Sequence, residues 1–241
     1  MPQVQQSAVR NRLLAALPPG DFALLAHHLR PVELEFRRIL FEPGRTIEAV
    51  HFPESGLVSH GAPLEDGHTV EVGVIGREGL VGLASVLGAD RASTEGMVQM
   101  GGAARRIRPA ELRAAFDRSA ALRDVLLRYA QVFHVQVAQT AACNAEHHVD
   151  VRLARWLLLM HDRAEADAFP MTQEFVSLML GTRRPTISVA AAVLQKAGVV
   201  RYKHGKMEVL DRAGLEEAAC ECYGVVREQF DNLLGAPTGK E

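Results

Sequence analysis

Residues 171–196 read MTQEFVSLMLGTRRPTISVAAAVLQK, and their punctuation predicts two helices joined by a sharp turn. Thr172 can cap the first helix, with Gln173 and Glu174 in its first turn and Phe175, Val176, Leu178 and Met179 on its core face. Gly181 ends it, because glycine enters the left-handed conformation of such a turn without steric cost. Pro185 is tolerable only in the first turn of a helix, where its missing N–H has no partner to lose, so the second helix starts near Arg183 or Arg184. Ile187, Ala190, Ala191 and Leu194 then form an inward stripe, leaving Arg184, Ser188, Val189 and Ala192 on the outer side. That arrangement predicts a helix-turn-helix whose second helix presents its N-terminal half to the major groove of DNA.

Charge supports this reading. Residues 181–207 hold Arg183, Arg184, Lys196, Arg201, Lys203 and Lys206 and no acid, a formal +6 within a chain of net charge -2, so the remainder carries -8. A local positive patch attracts backbone phosphates whatever the base sequence, while side chains at the helix tip discriminate among bases. Arg201 to Val209, with a turn at His204-Gly205, reads as a hairpin and hence as a wing. An ordinary helical hairpin shares the two-helix pattern; the acid-free basic run and the wing favour DNA binding.

Upstream, Asn11 to Leu29 predicts two short helices broken at Pro18-Pro19-Gly20, with Asp21 as the cap of the second. Val32 to Ile107 changes to short, partly alternating runs such as Val32-Leu34-Phe36 and Val70-Val72-Val74, punctuated by turn residues, and predicts an antiparallel β-roll or barrel. Pro109 to Phe116 reads as a short helix, and Ala120 to about His148 as a long one. In the long helix Leu122, Leu126, Tyr129, Phe133, Val137 and Thr140 recur at steps of three or four and suggest a dimer seam, the alternative being packing on its own domain. Val151 to His161 opens the last domain, which continues as helix, helix, hairpin, helix. The expected fold class is α+β: a double-stranded, jelly-roll-like β-roll in a sensor domain at 1–119, a dimerisation helix and hinge at 120–150, and a winged helix-turn-helix at 151–241.

The chain resembles the Crp/Fnr family of transcription regulators over nearly its whole length, in Phe52-Pro-Glu-Ser-Gly-Leu-Val-Ser59, Ile75-Gly-Arg-Glu-Gly-Leu-Val-Gly82 and Thr172-Gln-Glu-Phe through Leu180-Gly-Thr-Arg-Arg-Pro-Thr-Ile-Ser188. The resemblance implies an N-terminal cyclic-nucleotide-binding-type roll and a homodimer on a roughly palindromic operator, with RNA polymerase as a further partner. It implies base contacts from Arg184 and Ser188 and phosphate contacts from Arg183 and Thr186. Pro185 and Val189 stand where many members carry a glutamate and an arginine, so the operator should differ from the familiar half-sites; valine suits a thymine methyl, whereas proline accepts no hydrogen bond. Thr172, Arg201, Lys203 and Lys206 complete the expected phosphate contacts. The positions aligned with the family's nucleotide-binding pairs read Gly82-Leu83 and Ser93-Thr94, with Arg91 nearby but out of register. An effector pocket built from Gly82, Leu83, Arg91, Ser93 and Thr94 lacks the charge-assisted partner of a buried phosphate. Cyclic AMP control is therefore not expected, and any small-molecule effector is a different one.

Three cysteines suggest no disulfide framework, and four-cysteine iron–sulfur sensing of the Fnr kind is excluded by number and position. Cys143 and His147, one helical turn apart beside His148 and Asp150, have metal-ligand spacing, but a small core cysteine beside exposed histidines is the simpler reading and no metal site or cofactor is expected. Cys220 and Cys222, two apart on one helix, should point apart; His27 and His28 should lie on a helix surface or at a domain edge. Gly76 to Gly82 lacks a Walker lysine, and no nucleophile elbow or linked carboxylate pair points to an enzyme or a catalytic residue. The N-terminus has no signal-peptide core and no run is long enough to span a membrane, which predicts a cytoplasmic protein without membrane association. The competing function class is a small-molecule-binding or redox-sensing module with weak or no specific DNA binding.

Overall fold

The computed structural model describes residues 4–65, 67, 69–203 and 205–235. After a 3-10 turn, α1 (Arg12–Ala15) and α2 (Pro19–Ala26) lead into β1 (Arg30–Leu34), β2 (Ile39–Phe41), β3 (Val50–Pro53), β4 (Leu57–Pro63) and β5 (Thr69–Ile75). A single turn, α3 (Leu83–Val86), precedes β6 (Glu95–Met100) and β7 (Gly102–Ile107); α4 (Pro109–Arg118) and α5 (Ala120–Glu146) follow. The strands form two antiparallel sheets, β1-β7-β3 and β2-β6-β4-β5. Leu34, Phe52, Ile107, Val58, Ile75 and Val98, drawn from both sheets, join one buried core, the roll that the alternating runs predict. The expected turn at Asp66 and the wing turn at His204 fall on positions outside the described residues, as does the tail 236–241.

The C-terminal part is α6 (Val149–His161), β8 (Ala168–Pro170), α7 (Gln173–Met179), α8 (Arg184–Lys196), the hairpin β9 (Val200–Lys203) and β10 (Lys206–Val209), α9 (Arg212–Ala218) and α10 (Cys222–Leu234). β8 adds a third strand to the wing, in the order β8-β10-β9. The sequence reading missed this strand because three residues ending in proline carry almost no periodic signal. A second core of Leu153, Trp156, Phe175, Ile187, Leu194, Met207 and Leu215 holds this half together.

Several expectations need correction. The cap of α2 is Pro18, with Pro19 at the helix start; Asp21 lies one turn in, and its carboxylate accepts a 2.6 Å hydrogen bond from Ser119 Oγ. Two helices follow the wing where one was expected, because the chain leaves helical geometry at Ala219 (φ -85°, ψ 164°) before α10 begins.

The largest correction concerns α5. Leu122, Leu126, Tyr129, Phe133 and Thr140 are buried within their own protomer, with Val137 packed against the same core. Tyr129 donates its hydroxyl to the Leu80 carbonyl at 3.3 Å, and Phe133 meets His60 edge-on at 5.0 Å between ring centroids. These residues are therefore not the exposed dimer seam. Periodicity identifies an apolar face without naming its partner, and the bulkiest face of α5 is covered by the roll. The next face round carries Leu127, Gln131, His134, Ala138, Ala141 and Ala145, all exposed and again spaced by fours and threes along a helix about 40 Å long. Helix α10 returns along α5, and its Val226 and Phe230 join the core of the roll.

Candidate nucleic-acid interface

The turn between α7 and α8 is fixed by local chemistry. Thr172 Oγ1 accepts the Phe175 N–H at 3.1 Å and caps α7, while Gly181 takes φ +58°. The backbone conformation selects glycine there, and an added Cβ would also lie close to the Val70 side chain of β5, at 3.3 Å. Arg183 occupies the cap position of α8 in extended conformation, and Pro185 lies in the first turn. Ile187, Ala190, Ala191 and Leu194 are buried in the second core.

The opposite side of α8 is open. Arg183, Arg184, Pro185, Thr186, Val189 and Ala192 are exposed, Val189 at 66% and Val193 at 49%. Ser188 is half-buried: its hydroxyl donates to Gln173 Oε1 at 2.6 Å and lies 3.2 Å from the Arg184 carbonyl, so this residue also ties α8 to α7. In the wing Lys203 and Lys206 face each other across the hairpin, both exposed. Like charges directly opposite destabilise a hairpin, and a polyanion relieves the repulsion. Arg201 is partly neutralised by Glu208 at 3.1 Å. Sequence reasoning missed that pairing because Glu208 stands just beyond the acid-free run.

The helix-turn-helix docks on the roll through polar contacts. Trp156 Nε1 donates to Glu71 Oε1 at 2.7 Å and Arg163 holds Glu78 with N–O distances of 2.8 and 2.7 Å, while within the C-terminal half Arg152 donates to the Leu180 carbonyl at 2.5 Å. Burial drives the Glu71 pKa up from 4.5 to about 7, although the hydrogen bonds from Ser59 and Trp156 and the nearby Arg155 and Arg163 oppose it. The folded protein therefore binds a proton there that the unfolded chain lacks between pH 4.5 and 7, and the stability due to this group falls as pH rises through that window. Its full span is about 3 kcal/mol. Glu71→Gln should remove that dependence, read as the difference between variant and wild type at each pH in urea denaturation. The difference is needed because His51 and His60, pushed down to about 4 chiefly by burial, act in the opposite direction over much of the same range. A pH-independent difference would show that Glu71 does not titrate in the folded state.

Of the residues expected to form an effector pocket, Leu83 packs against the core of the roll, and two others have structural roles of their own. Gly82 caps α3 at φ +98°, and the exposed Arg91 donates to the Gly44 carbonyl at 2.8 Å, zipping two surface loops together. A different constellation is assembled at the far end of α5. Cys143, His147, Cys220 and Cys222 come together with their ligand atoms all within 4.8 Å of one another. The expectation that Cys220 and Cys222 share one helix and diverge is corrected by the break between α9 and α10, which lets both sulfurs converge on Cys143.

A basic helix-turn-helix with a three-stranded wing, joined by a long helix to an antiparallel β-roll, defines a winged-helix architecture with an N-terminal β-roll. Residues 151–218 match the family model of the Crp-like helix-turn-helix domain, and the chain as a whole has the Crp/Fnr regulator fold. Among solved structures it is similar to a putative Crp/Fnr-family transcriptional regulator from Eubacterium rectale, with a TM-score of 0.68 and 16% identity over 86% of this chain and 96% of that one. FixK2 from Bradyrhizobium japonicum gives a TM-score of 0.69 and 16% identity over 80% and 98%. The c-di-GMP-responsive global regulator CLP from Xanthomonas campestris gives 0.66 and 17% over 80% and 99%. No curated protein matches the sequence significantly. Among the described residues no helix is long and apolar enough to cross a membrane.

Proposed function

We propose that this protein is a cytoplasmic, homodimeric transcription regulator that binds a roughly palindromic DNA operator by placing the N-terminal half of α8 in the major groove of each half-site. The observation that carries the reading is the exposed, acid-free tip of α8, from Arg183 to Val189, held rigidly against α7 by the buried stripe behind it. Arg184, with Ser188, Val189 and Pro185, faces the bases. Arg183, Thr172, Thr186, Lys203, Lys206 and, in competition with Glu208, Arg201 face the phosphates. The exposed stripe of α5 from Leu127 to Ala145 supplies the dimer contact, since its small residues allow two helices to approach closely. Cyclic AMP is not its effector: the positions aligned with the family's phosphate-binding pair read Ser93-Thr94, and the exposed Arg91 nearby donates to the Gly44 carbonyl. RNA polymerase is the partner through which promoter occupancy acts.

Arg184→Ala should cost about 1–3 kcal/mol on a selected operator and relax the preference at one base pair in each half-site. Lys203→Ala should weaken operator and random DNA alike and reduce the salt slope by about one. Fluorescence anisotropy on both DNAs over a salt series checks this division of roles. Equal losses on both DNAs for the two variants would refute it.

A further inference from the structure

The geometry points to a zinc site at the junction between α5 and the DNA-binding domain, with Cys143 Sγ, Cys220 Sγ, Cys222 Sγ and His147 Nδ1 as its four ligands. Cys143 and His147 lie one turn apart at the end of α5, while Cys220 lies in the break between α9 and α10 and Cys222 opens α10. Cys143 and Cys220 sulfurs are 3.5 Å apart, and Cys222 Sγ is 3.6 Å from His147 Nδ1. Bond lengths of about 2.3 Å to sulfur and 2.0–2.1 Å to nitrogen put tetrahedral ligands roughly 3.8 Å (S to S) and 3.6 Å (S to N) apart. The donors are thus nearly at the spacing one zinc ion requires. A set this tight closes around a single ion and leaves no room for an iron–sulfur cubane between the sulfurs.

The surroundings fit the same assignment. His147 turns its other nitrogen, Nε2, toward the Glu221 carboxylate at 3.5 Å, the arrangement that fixes the tautomer of a metal-bound histidine and raises its basicity. Gln139 Nε2 donates to Cys222 Sγ at 3.0 Å. All three cysteines are buried, with Val151 packed over them. Three thiolates and Zn²⁺ sum to one negative charge. Arg155 and Arg152 of α6 both act electrostatically on Cys143, and each has a buried Nε with no hydrogen-bond partner. Four protein ligands, three of them buried cysteines, make a structural site, and this one staples the last two helices to the end of the long helix, beside the hinge at His147-His148.

Metal analysis of the full-length protein, purified under reductant and dialysed, is expected to find one zinc per protomer. Cys143→Ser and Cys222→Ser should lose it, and Glu221→Gln should hold it roughly tenfold more weakly in a competition with a chromogenic chelator. Should the serine variants fail to fold, wild-type protein reloaded with Co²⁺ still decides the matter, through the sulfur-to-cobalt charge-transfer and strong ligand-field bands of a tetrahedral thiolate site. Protein with free thiols that gives no such spectrum, an iron–sulfur absorbance, or a Cys143–Cys220 disulfide in protein taken from a reducing cytoplasm would each overturn the assignment. None of these readouts involves DNA, so the zinc site and the regulatory function stand or fall separately.

Discussion

Arg163→Ala is expected to destabilise the protein by about 3–5 kcal/mol, the cost of leaving a buried charge without its partner. Arg163 has a side-chain exposure of 7% and Glu78 of 10%. The Glu78 carboxylate also accepts the Gly76 N–H at 3.0 Å, and Arg163 Nη1 donates to the Leu159 carbonyl at 2.9 Å, so one ion pair clamps the end of α6 to the loop after β5. Burial alone would lower the arginine pKa; Glu78 and Asp162 reverse this and raise it. The sole tryptophan, Trp156, sits in the same interface and donates to Glu71, so its fluorescence during urea unfolding reports directly on undocking. Circular dichroism should follow the same transition in the wild type and separate from it in the variant. Replacing both members of the pair by apolar residues of similar size should recover much of the loss. A change below about 1 kcal/mol would mean that the pair is solvated in solution and the two halves are not clamped there.

Ala138→Glu is expected to convert the dimer to a monomer and to reduce operator affinity to the level of random DNA, a loss of about a thousandfold or more. Ala138 lies in the middle of the exposed stripe on α5, where a two-fold axis would bring it against its own copy. A glutamate there sets like charges face to face and desolvates both. Leu126→Ala is the contrasting variant: Leu126 is fully buried in its own protomer, so it should cost about 2–5 kcal/mol of stability while the folded fraction stays dimeric. Sedimentation velocity separates the cases. A dimer surviving Ala138→Glu but dissociating with Leu126→Ala would reinstate the seam that the sequence suggests.

The contrast shows which parts of this molecule are legible from the chain. The helix-turn-helix is legible because Thr172, Gly181 and Pro185 each have local, nearly forced roles: a cap, a left-handed turn and a first-turn proline. The β-roll is legible as a class because alternation and turn residues survive in short strands. Partnership across the fold is not local. The stripe from Leu122 to Thr140 has the same period whether a second copy or its own protomer covers it, and only the tertiary arrangement assigns Leu122 to Val137 to the roll and Thr140 to Arg155 of α6. The four metal-type ligands were half visible, as Cys143 and His147 at helical spacing. Their convergence with Cys220 and Cys222 depends on a helix break at Ala219 that no proline or capping glycine announces.

If the tip of α8 reads DNA in duplicate, wild-type protein will select its operator from a random duplex pool. Enrichment of inverted half-sites with centres about 10 base pairs apart, bound at least a thousandfold more tightly than unselected DNA at physiological salt, is the expected result. A selected pool that binds no better than the starting one would contradict it.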